Sequence, residues 1–321
     1  MKIALTMMKV EWEDKEANLH KAEALIRQAA LAGARMIIFP EMSFTGFSMN
    51  VDQIGEWPEG YDTQNALHDI DAPKTMQILR DWSSVYQITI VFGHVVKEQE
   101  QNGHVVGKNT LTVVSQGQVL AQYEKLHPFG YAKESSSYRA GDHLTLCEIE
   151  QIPFAFFICY DLRFPEIFQL VSNQAKAIIV IANWPKNRQN HWELLLRARA
   201  VENQAFCIGV NRAGSGDGLE YAKSSMAFDP TGERLPEESC DKGACDKASC
   251  DKGACGYVSG REGGCYDESY TEELCMIEID PALADRYRQS FPLKMDRRDA
   301  FYGSQYQLLR AEQSAQTDQK K

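Results

Sequence analysis

The stretch that decides the fold of this chain is FAFFICYDLRFPE, residues 154–166. Residues 154–158 are consecutive apolar residues and predict a short buried strand. The strand ends at Cys159, and Pro165 and Glu166 suit the first turn of a helix. A cysteine between a buried strand and a helix predicts a nucleophile elbow, and the positive end of the helix favours its thiolate. The alternative is a small core residue, because free cysteines are among the most buried residue types.

Composition and charge restrict the class of protein. The chain has 321 residues, of which 44% are hydrophobic and 25% charged, as expected for a globular protein with a large core. Its net charge of −11 argues against nucleic acid or an anionic membrane as the main partner and leaves a small-molecule substrate open. No apolar run is long enough to span a bilayer, and charged residues from Glu11 onward follow too early for a secretory signal. We therefore expect a cytoplasmic protein with reduced thiols.

The order of predicted elements favours an α/β fold. A strand within residues 1–10, an amphipathic helix over 18–32 and a buried strand over 36–39 form a strand–helix–strand unit. The same order recurs over residues 177–210. The second half therefore repeats the organisation of the first, without a detectable sequence repeat.

Residues 240–255 interrupt this pattern with the tandem repeat CDKGACDKASCDKGAC, in which a cysteine recurs every fifth residue. This spacing differs from that of Cys-x2-Cys zinc pairs. We interpret the segment at about 238–268 as a low-complexity surface insertion, with binding of a soft metal by its thiols as the alternative.

The remaining boundaries follow from composition near the end of the chain. Residues 287–302 combine aromatic residues with arginines, so we expect them to pack on the body or on another subunit. Residues 312–321 predict a polar, frayed tail. The main domain is therefore expected to span residues 1–311.

Three ionisable residues follow predicted strands. Glu41 comes after the strand over 36–39, Lys125 after the one that ends at Tyr123, and Cys159 after the strand of the elbow. A carboxylate flanked by apolar groups is a candidate general base. Taken singly, Glu41 is better explained as a helix cap or a surface turn residue, and Lys125 as an ordinary surface lysine.

Taken together, several ordered motifs resemble the nitrilase superfamily of carbon–nitrogen hydrolases. They are FPE (39–41), YEKLH (123–127), CYDLRFPE (159–166), NWP (183–185), RARAVENQ (197–204) and DPTGE (229–233). The resemblance covers roughly residues 1–235 and resumes near 270–302, and such a set is far more specific than any one motif. It implies a four-layer α-β-β-α sandwich that dimerises through its outer helices, as a dimer or a multiple of dimers.

The resemblance also implies the roles of the catalytic residues. Cys159 attacks the amide carbon, and Glu41 takes the thiol proton and returns it to the leaving ammonia. Lys125 and the backbone N–H of Tyr160 stabilise the oxyanion. Glu134 corresponds to the family's second glutamate and orients Lys125 or the substrate amide. The reaction passes through a thioester and requires no metal or organic cofactor.

Within the superfamily, the chain looks most like the amidase branch near the ω-amidases. KLHPF (125–129) and NWP (183–185) carry this finer resemblance, whereas Pro128 and Gly130 stand where those enzymes tend to have Leu and Asp. YAKSS (221–225) also departs from the usual Tyr-x-Gly-x-Ser. The implied substrate is the terminal amide of a small dicarboxylic acid monoamide such as 2-oxoglutaramate or 2-oxosuccinamate.

We expect the substrate-binding side chains to be Tyr160, Arg163, Trp184 and Arg188. The far carboxylate of such a substrate needs a cationic partner, for which Arg163 and Arg188 are the candidates. The alternative is that each arginine ties loops together through Asp161 or Glu166.

Two other interpretations compete with this one. The first is another hydrolase of the superfamily: a nitrilase, or an amidase acting on deaminated glutathione or an N-carbamoyl compound. The second is a non-catalytic thiol or metal-binding protein centred on the cysteine repeat.

Overall fold

The computed structural model describes residues 1–59, 75–239 and 273–318. The cysteine repeat at 240–255 lies outside the described residues, so its interpretation stays a prediction. The strands are β1 Lys2–Thr6, β2 Met36–Ile38, β3 Thr89–Gln99, β4 Val105–Ser115, β5 Gln118–Glu124, β6 Leu146–Ile149, β7 Ile152–Ile158, β8 Ala177–Ala182, β9 Phe206–Asn211, β10 Gly214–Gly216, β11 Leu219–Tyr221, β12 Met226–Phe228, β13 Glu238–Ser239 and β14 Leu274–Glu278. The α-helices are α1 Lys15–Leu31, α2 Val51–Ile54, α3 Thr75–Val85, α4 Glu134–Ser137, α5 Pro165–Val171, α6 Gln189–Asn203, α7 Pro281–Ser290 and α8 Asp299–Asp318.

The strands form two large sheets and a small hairpin. The first sheet has seven strands in the order β13-β14-β1-β2-β3-β4-β5, and the second has five in the order β12-β9-β8-β7-β6. Strands β1, β2 and β3 are parallel to one another, as are β7, β8 and β9. The hairpin consists of β10 and β11.

Alternating side chains place the two sheets face to face between layers of helices. Along β1, Ile3 and Leu5 belong to the apolar cluster that also contains the strands of the second sheet. Ala4, which points the other way, belongs to a second cluster with side chains of α1 and α3. On the outer face of the second sheet, Phe168 of α5 packs on Phe157 of β7, with ring centroids 4.0 Å apart. The predicted four-layer α-β-β-α sandwich is confirmed.

Two of the elements that differ from the sequence predictions are β3 and β6. The sequence predicts a strand over 88–92 that ends at Gly93 and His94, but β3 continues five residues beyond His94 because it pairs with β4 as far as Gln99. Strand β6 was not predicted; it forms because it pairs with β7 over Leu146–Ile149, although the segment itself is short and partly exposed.

Strand direction brings the predicted site residues to one end of the sandwich. Glu41 follows β2, and Cys159 and Asn183 follow the parallel strands β7 and β8. Because β4 is antiparallel to both β3 and β5, β5 runs in the same direction as β3 and delivers Lys125 beyond its carboxyl end. The carboxyl ends of both sheets therefore supply the site.

The C-terminal segment packs on the body, as predicted. The Arg288 guanidinium donates hydrogen bonds to the backbone oxygens of Gln204 (2.9 Å) and Ala175 (2.6 Å). Arg297 donates to the backbone oxygen of Gln169 in α5 (2.8 Å). Helix α8 extends to Asp318, into the segment predicted as a tail.

Apolar side chains on the outer helices are exposed in the single chain. Leu170 of α5 and Leu194 of α6 are 66% and 65% exposed. They are consistent with association through these helices, and the dimer stays a prediction. Among the helices that the structure describes, none has the length and apolar character needed to cross a bilayer.

Candidate active site

Cys159 stands at the elbow that the sequence predicts. It follows β7 directly and begins a short 3-10 turn, Cys159–Arg163, before α5 starts at Pro165. Its backbone φ is +46°, in the left-handed region that non-glycine residues seldom occupy. Strained residues of this kind persist where the surrounding structure fixes them, often at functional sites.

The buried carboxylate of Asp161 fixes the turn. It accepts hydrogen bonds from the backbone N–H of Ile158 (3.1 Å) and from the hydroxyl of Tyr123 on β5 (2.8 Å). It also accepts one from the backbone N–H of His127 (3.0 Å), two residues after Lys125. Asp161 therefore ties the nucleophile elbow of one sheet to the lysine-bearing strand of the other.

Lys125 lies between two carboxylates at the centre of the site. Its Nζ is 2.8 Å from Oε1 of Glu41, and 3.0 and 2.9 Å from Oε1 and Oε2 of Glu134. All three side chains are almost completely buried. The structure thus brings together three of the predicted catalytic residues, including Glu134, the one assigned from the least distinctive sequence.

Two asparagines hold the carboxylates in place. Asn109 donates through Nδ2 to Glu41 (2.7 Å) and to Glu134 (2.9 Å). The backbone N–H of Asn183 donates to the other oxygen of Glu41 (2.8 Å). Sequence analysis missed Asn109, which lies inside strand β4 where an alternating pattern gives no signal, and quoted Asn183 only as part of a motif.

Burial and neighbouring charges shift the pKa values of the cluster in different directions. Burial raises the pKa of Glu41, but Lys125, Asn109 and Asn183 together outweigh it and leave the pKa below its ordinary value. For Glu134, burial and the neighbouring Glu41 charge dominate and raise the pKa. Burial lowers the pKa of Lys125, yet its two carboxylates bring it well above the usual range. At neutral pH Lys125 is an ammonium and Glu41 is ionised.

The expectation of a thiolate at Cys159 is wrong for the resting site. Burial, together with the charge of Glu41 and a hydrogen bond to its carboxylate, raises the pKa of the Cys159 thiol well above the ordinary 9.0. Lys125 opposes this effect but is the weaker influence. The α-helix also begins six residues later, at Pro165, so its positive end does not adjoin the sulfur.

A glycine on the neighbouring strand allows the close approach of Glu41. A methyl group added at Gly93 of β3 would lie 2.5 Å from the backbone nitrogen of Met42 and 2.8 Å from Cα of Glu41. The backbone N–H of Ser43 also donates to the Gly93 carbonyl (2.9 Å). The position of the Glu41 carboxylate therefore depends on the absence of a side chain at position 93.

The cluster opens into a cavity of about 320 Å³. The lining includes Lys125, Cys159, Trp12, Phe47, Met49, Phe129, Asp217, Leu219 and Tyr221. All four predicted substrate-binding residues, Tyr160, Arg163, Trp184 and Arg188, also line it.

Both cavity arginines stack on aromatic rings. Cζ of Arg163 is 4.7 Å from the ring centroid of Trp184, and Cζ of Arg188 is 5.7 Å from that of Phe129. Neither guanidinium is paired with a carboxylate of the residues that the structure describes; Asp161 and Glu166 bind other partners. The loop-tying alternative is therefore not observed.

Comparison with known proteins places this architecture in a family. The sequence profile of the carbon–nitrogen hydrolases matches residues 2–244. The chain belongs to this family. It is an amidohydrolase of the nitrilase superfamily, acting on carbon–nitrogen bonds other than peptide bonds, as the motifs indicated.

Individual relatives agree with this assignment. The chain is 33% identical over 236 residues to omega-amidase YafV of Yersinia enterocolitica, covering 73% of this chain and 83% of the relative. It is 29% identical over 245 residues to 2-oxoglutaramate amidase of Bacillus subtilis, covering 75% and 88%. The crystal structure of XC1258 from Xanthomonas campestris, a CN-hydrolase superfamily protein with an arsenic adduct in its active site, has a TM-score of 0.70. It is 25% identical, covering 93% of this chain and 97% of that one.

We expect Gly93→Ala to lower ammonia release from an amide substrate by about 100-fold or more, because the added methyl group displaces the Glu41 backbone. Steady-state ammonia assays, with circular dichroism to show that the variant is folded, provide the measurement. Gly303→Ala is the matched control, since nothing lies within 4 Å of the added methyl group there. Wild-type activity in Gly93→Ala would show that the position of Glu41 does not limit the reaction.

Proposed function

We propose that the chain is an ω-amidase-type enzyme, which releases ammonia from the terminal amide of a small dicarboxylic acid monoamide such as 2-oxoglutaramate or 2-oxosuccinamate. The proposal rests on one observation: a buried Glu41–Lys125–Glu134 cluster meets Cys159 in a cavity that also presents two guanidiniums, neither paired with a carboxylate of the described residues. The names of the relatives support the same substrate class.

In the first step, the sulfur of Cys159 attacks the carbon of the amide. The thiol proton passes to the Glu41 carboxylate, which interacts with the thiol and is ionised before the reaction. Glu41 thus acts as the general base on a protonated nucleophile. This assignment fits the raised pKa of the thiol better than attack by a preformed thiolate does.

The negative charge that develops on the amide oxygen is stabilised by the Lys125 ammonium and the backbone N–H of Tyr160. Lys125 lines the cavity beside Cys159 and is fully charged at neutral pH. A fixed ammonium in a site closed to bulk water stabilises an oxyanion strongly, since little solvent screens it.

Collapse of the tetrahedral intermediate breaks the carbon–nitrogen bond. Glu41 returns its proton to the departing nitrogen, ammonia leaves, and the acyl group stays on Cys159 as a thioester. Glu41 then takes a proton from water as the water attacks the thioester carbon, and the departing sulfur recovers that proton. The acid is released with the enzyme unchanged.

Glu134 positions Lys125 throughout this cycle. Both of its oxygens lie within 3.0 Å of the ammonium. When Glu41 is protonated, it no longer offers Lys125 a negative charge, whereas Glu134 continues to do so. The ammonium therefore stays charged and in place when it faces the oxyanion.

The cavity also supports a small anionic substrate. Its volume of about 320 Å³ is at the small end for ligand sites, which favours a short acid amide over a tripeptide-sized one such as deaminated glutathione. Arg163 and Arg188 would bind the far carboxylate, for which planar guanidinium groups are well suited. A non-catalytic thiol protein has no need for the buried charge cluster.

We expect Cys159→Ala to lower ammonia release from 2-oxoglutaramate by at least about 10³-fold, because no nucleophile remains to form the thioester. A coupled assay for ammonia measures the loss, and thermal unfolding shows that the fold is retained. The control is Cys147→Ala, which removes a free thiol on β6 outside the cavity. Full activity of Cys159→Ala would refute the proposed function.

The rate should be nearly independent of pH around neutrality. Glu41 must be ionised to accept the proton, and its pKa lies below 4.5, so activity is lost only as pH falls into that range. The thiol ionises only above pH 9.0. We therefore expect kcat/KM to stay flat between about pH 6 and 8.

The measurement is kcat/KM for 2-oxoglutaramate across this pH range, with circular dichroism at each pH. A tenfold rise for each pH unit towards pH 9.0, the ordinary thiol pKa, would show instead that the thiolate is the reactive form.

Arg188→Gln should raise KM for 2-oxoglutaramate by about 10- to 100-fold, because a charge-assisted hydrogen bond to the far carboxylate is lost. Hydrolysis of propionamide, which has no carboxylate, should stay within about twofold of wild type, since it never makes this contact. Arg163→Gln tests the second guanidinium in the same way. The control is Arg286→Gln, a substitution on the exposed surface of α7. Equal losses for both substrates would contradict a role in carboxylate binding.

A further inference from the structure

Tyr221, the last residue of β11, is a polar residue of the cavity that the proposed mechanism leaves unused. Its side chain lines the same cavity as Lys125 and Cys159, although the residue is only 6% exposed. No side chain or backbone group in the described part of the chain forms a hydrogen bond with its hydroxyl. The hydroxyl therefore faces the cavity next to the nucleophile, where a bound ligand can accept a hydrogen bond from it.

The ring of Tyr221 rests on a buried guanidinium. Arg212 is fully buried, and its Cζ is 4.6 Å from the ring centroid. The Nη2 of Arg212 donates to the backbone oxygens of Val10 and Ser215, each at 2.8 Å. In the described residues no carboxylate forms an ion pair with Arg212, and the Tyr221 ring is its cation–π partner.

Two glycines leave room for this guanidinium. A methyl group at Gly216 would lie 2.9 Å from Nη1 of Arg212, and one at Gly46 would lie 3.4 Å from it. The backbone of β10 and the loop after Glu41 therefore both pack closely against the Arg212 guanidinium. The Arg212 guanidinium packs on one face of the Tyr221 ring and so fixes its orientation, which places the hydroxyl for binding.

The charges around the hydroxyl indicate what it binds. Burial raises the pKa of Tyr221 to about 12, with Arg212 opposing the shift and the charges of Glu41 and Asp217 adding to it. At neutral pH the phenol is therefore a donor. The nearby Asp217 carboxylate disfavours a second anion at this position, so the acceptor is better a neutral oxygen than a carboxylate.

We propose that the Tyr221 hydroxyl donates a hydrogen bond to the 2-oxo oxygen of the bound acid amide and so selects 2-oxo acids. Lys125 and the Tyr160 N–H are occupied by the amide oxygen, and Arg163 and Arg188 by the far carboxylate. The 2-oxo group is the remaining acceptor on such a substrate. This inference rests on the proposed function for the class of substrate.

Binding of the product acids tests the inference apart from catalysis. Calorimetry compares 2-oxoglutarate with glutarate, which lacks only the 2-oxo oxygen, on wild type and Tyr221→Phe. The phenylalanine keeps the ring over Arg212, so the fold is retained. We expect Tyr221→Phe to weaken the binding of 2-oxoglutarate by about 3- to 10-fold, which is the effect of one hydrogen bond. The binding of glutarate should weaken by less than about twofold. Tyr302→Phe, which removes a hydroxyl on α8, should change neither.

Equal weakening of both acids, or no change in either, overturns the inference. So does a wild-type protein that binds glutarate as tightly as 2-oxoglutarate. A stronger effect on binding of glutamate than of 2-oxoglutarate would assign the hydroxyl to an ammonium group and also overturn it. Selective loss of 2-oxoglutarate supports it. If wild type shows this selectivity but releases no ammonia from 2-oxoglutaramate, the proposed function fails and the role of Tyr221 stands.

Discussion

The structure depends on one buried ammonium held between two buried carboxylates. Removing Lys125, Glu41 and Glu134 from solvent is costly for each charge, and only their close contacts offset that cost. Asn109 and Asn183 complete the hydrogen bonds of the glutamates, so no oxygen of the pair facing the lysine is left without a donor. Removing any one partner would leave an uncompensated buried charge, so the contacts of the cluster depend on one another. Its geometry is therefore fixed before a substrate arrives, which suits a site that must face a developing charge.

The sandwich makes this cluster possible because each sheet provides part of it. Glu41, Lys125 and Asn109 come from the seven-stranded sheet, whereas Cys159 and Asn183 follow strands of the five-stranded sheet. Asp161 connects the two halves through Tyr123 and the backbone of His127. The nucleophile and its base thus belong to separate sheets, and their distance is set by how the sheets pack.

Sequence reasoning was most successful where chemistry coincides with a strand end. Glu41 and Cys159 each follow a strongly apolar segment, Lys125 follows a predicted strand, and their ordered motifs led to the family and the layers of the fold. It could not find Asn109, because a polar residue within an alternating strand resembles any solvent-facing position. Nor could it find the contact between Arg212 and Tyr221. These residues come together only when β10 and β11 form a hairpin beside the loop after Glu41. The prediction of a thiolate at Cys159 was wrong for a related reason. It considered only the local helix, whereas the Glu41 carboxylate that raises the pKa of the thiol comes from the other sheet.

The sheet order has a consequence for the unusual cysteine repeat. The chain leaves the seven-stranded sheet after β13 and returns at β14, and these two strands form the edge opposite β5, the strand that delivers Lys125. A polypeptide can grow or shrink between two neighbouring edge strands without altering the pairing of the strands further in. Connections of different length at this junction are therefore compatible with the same sheet and the same catalytic end.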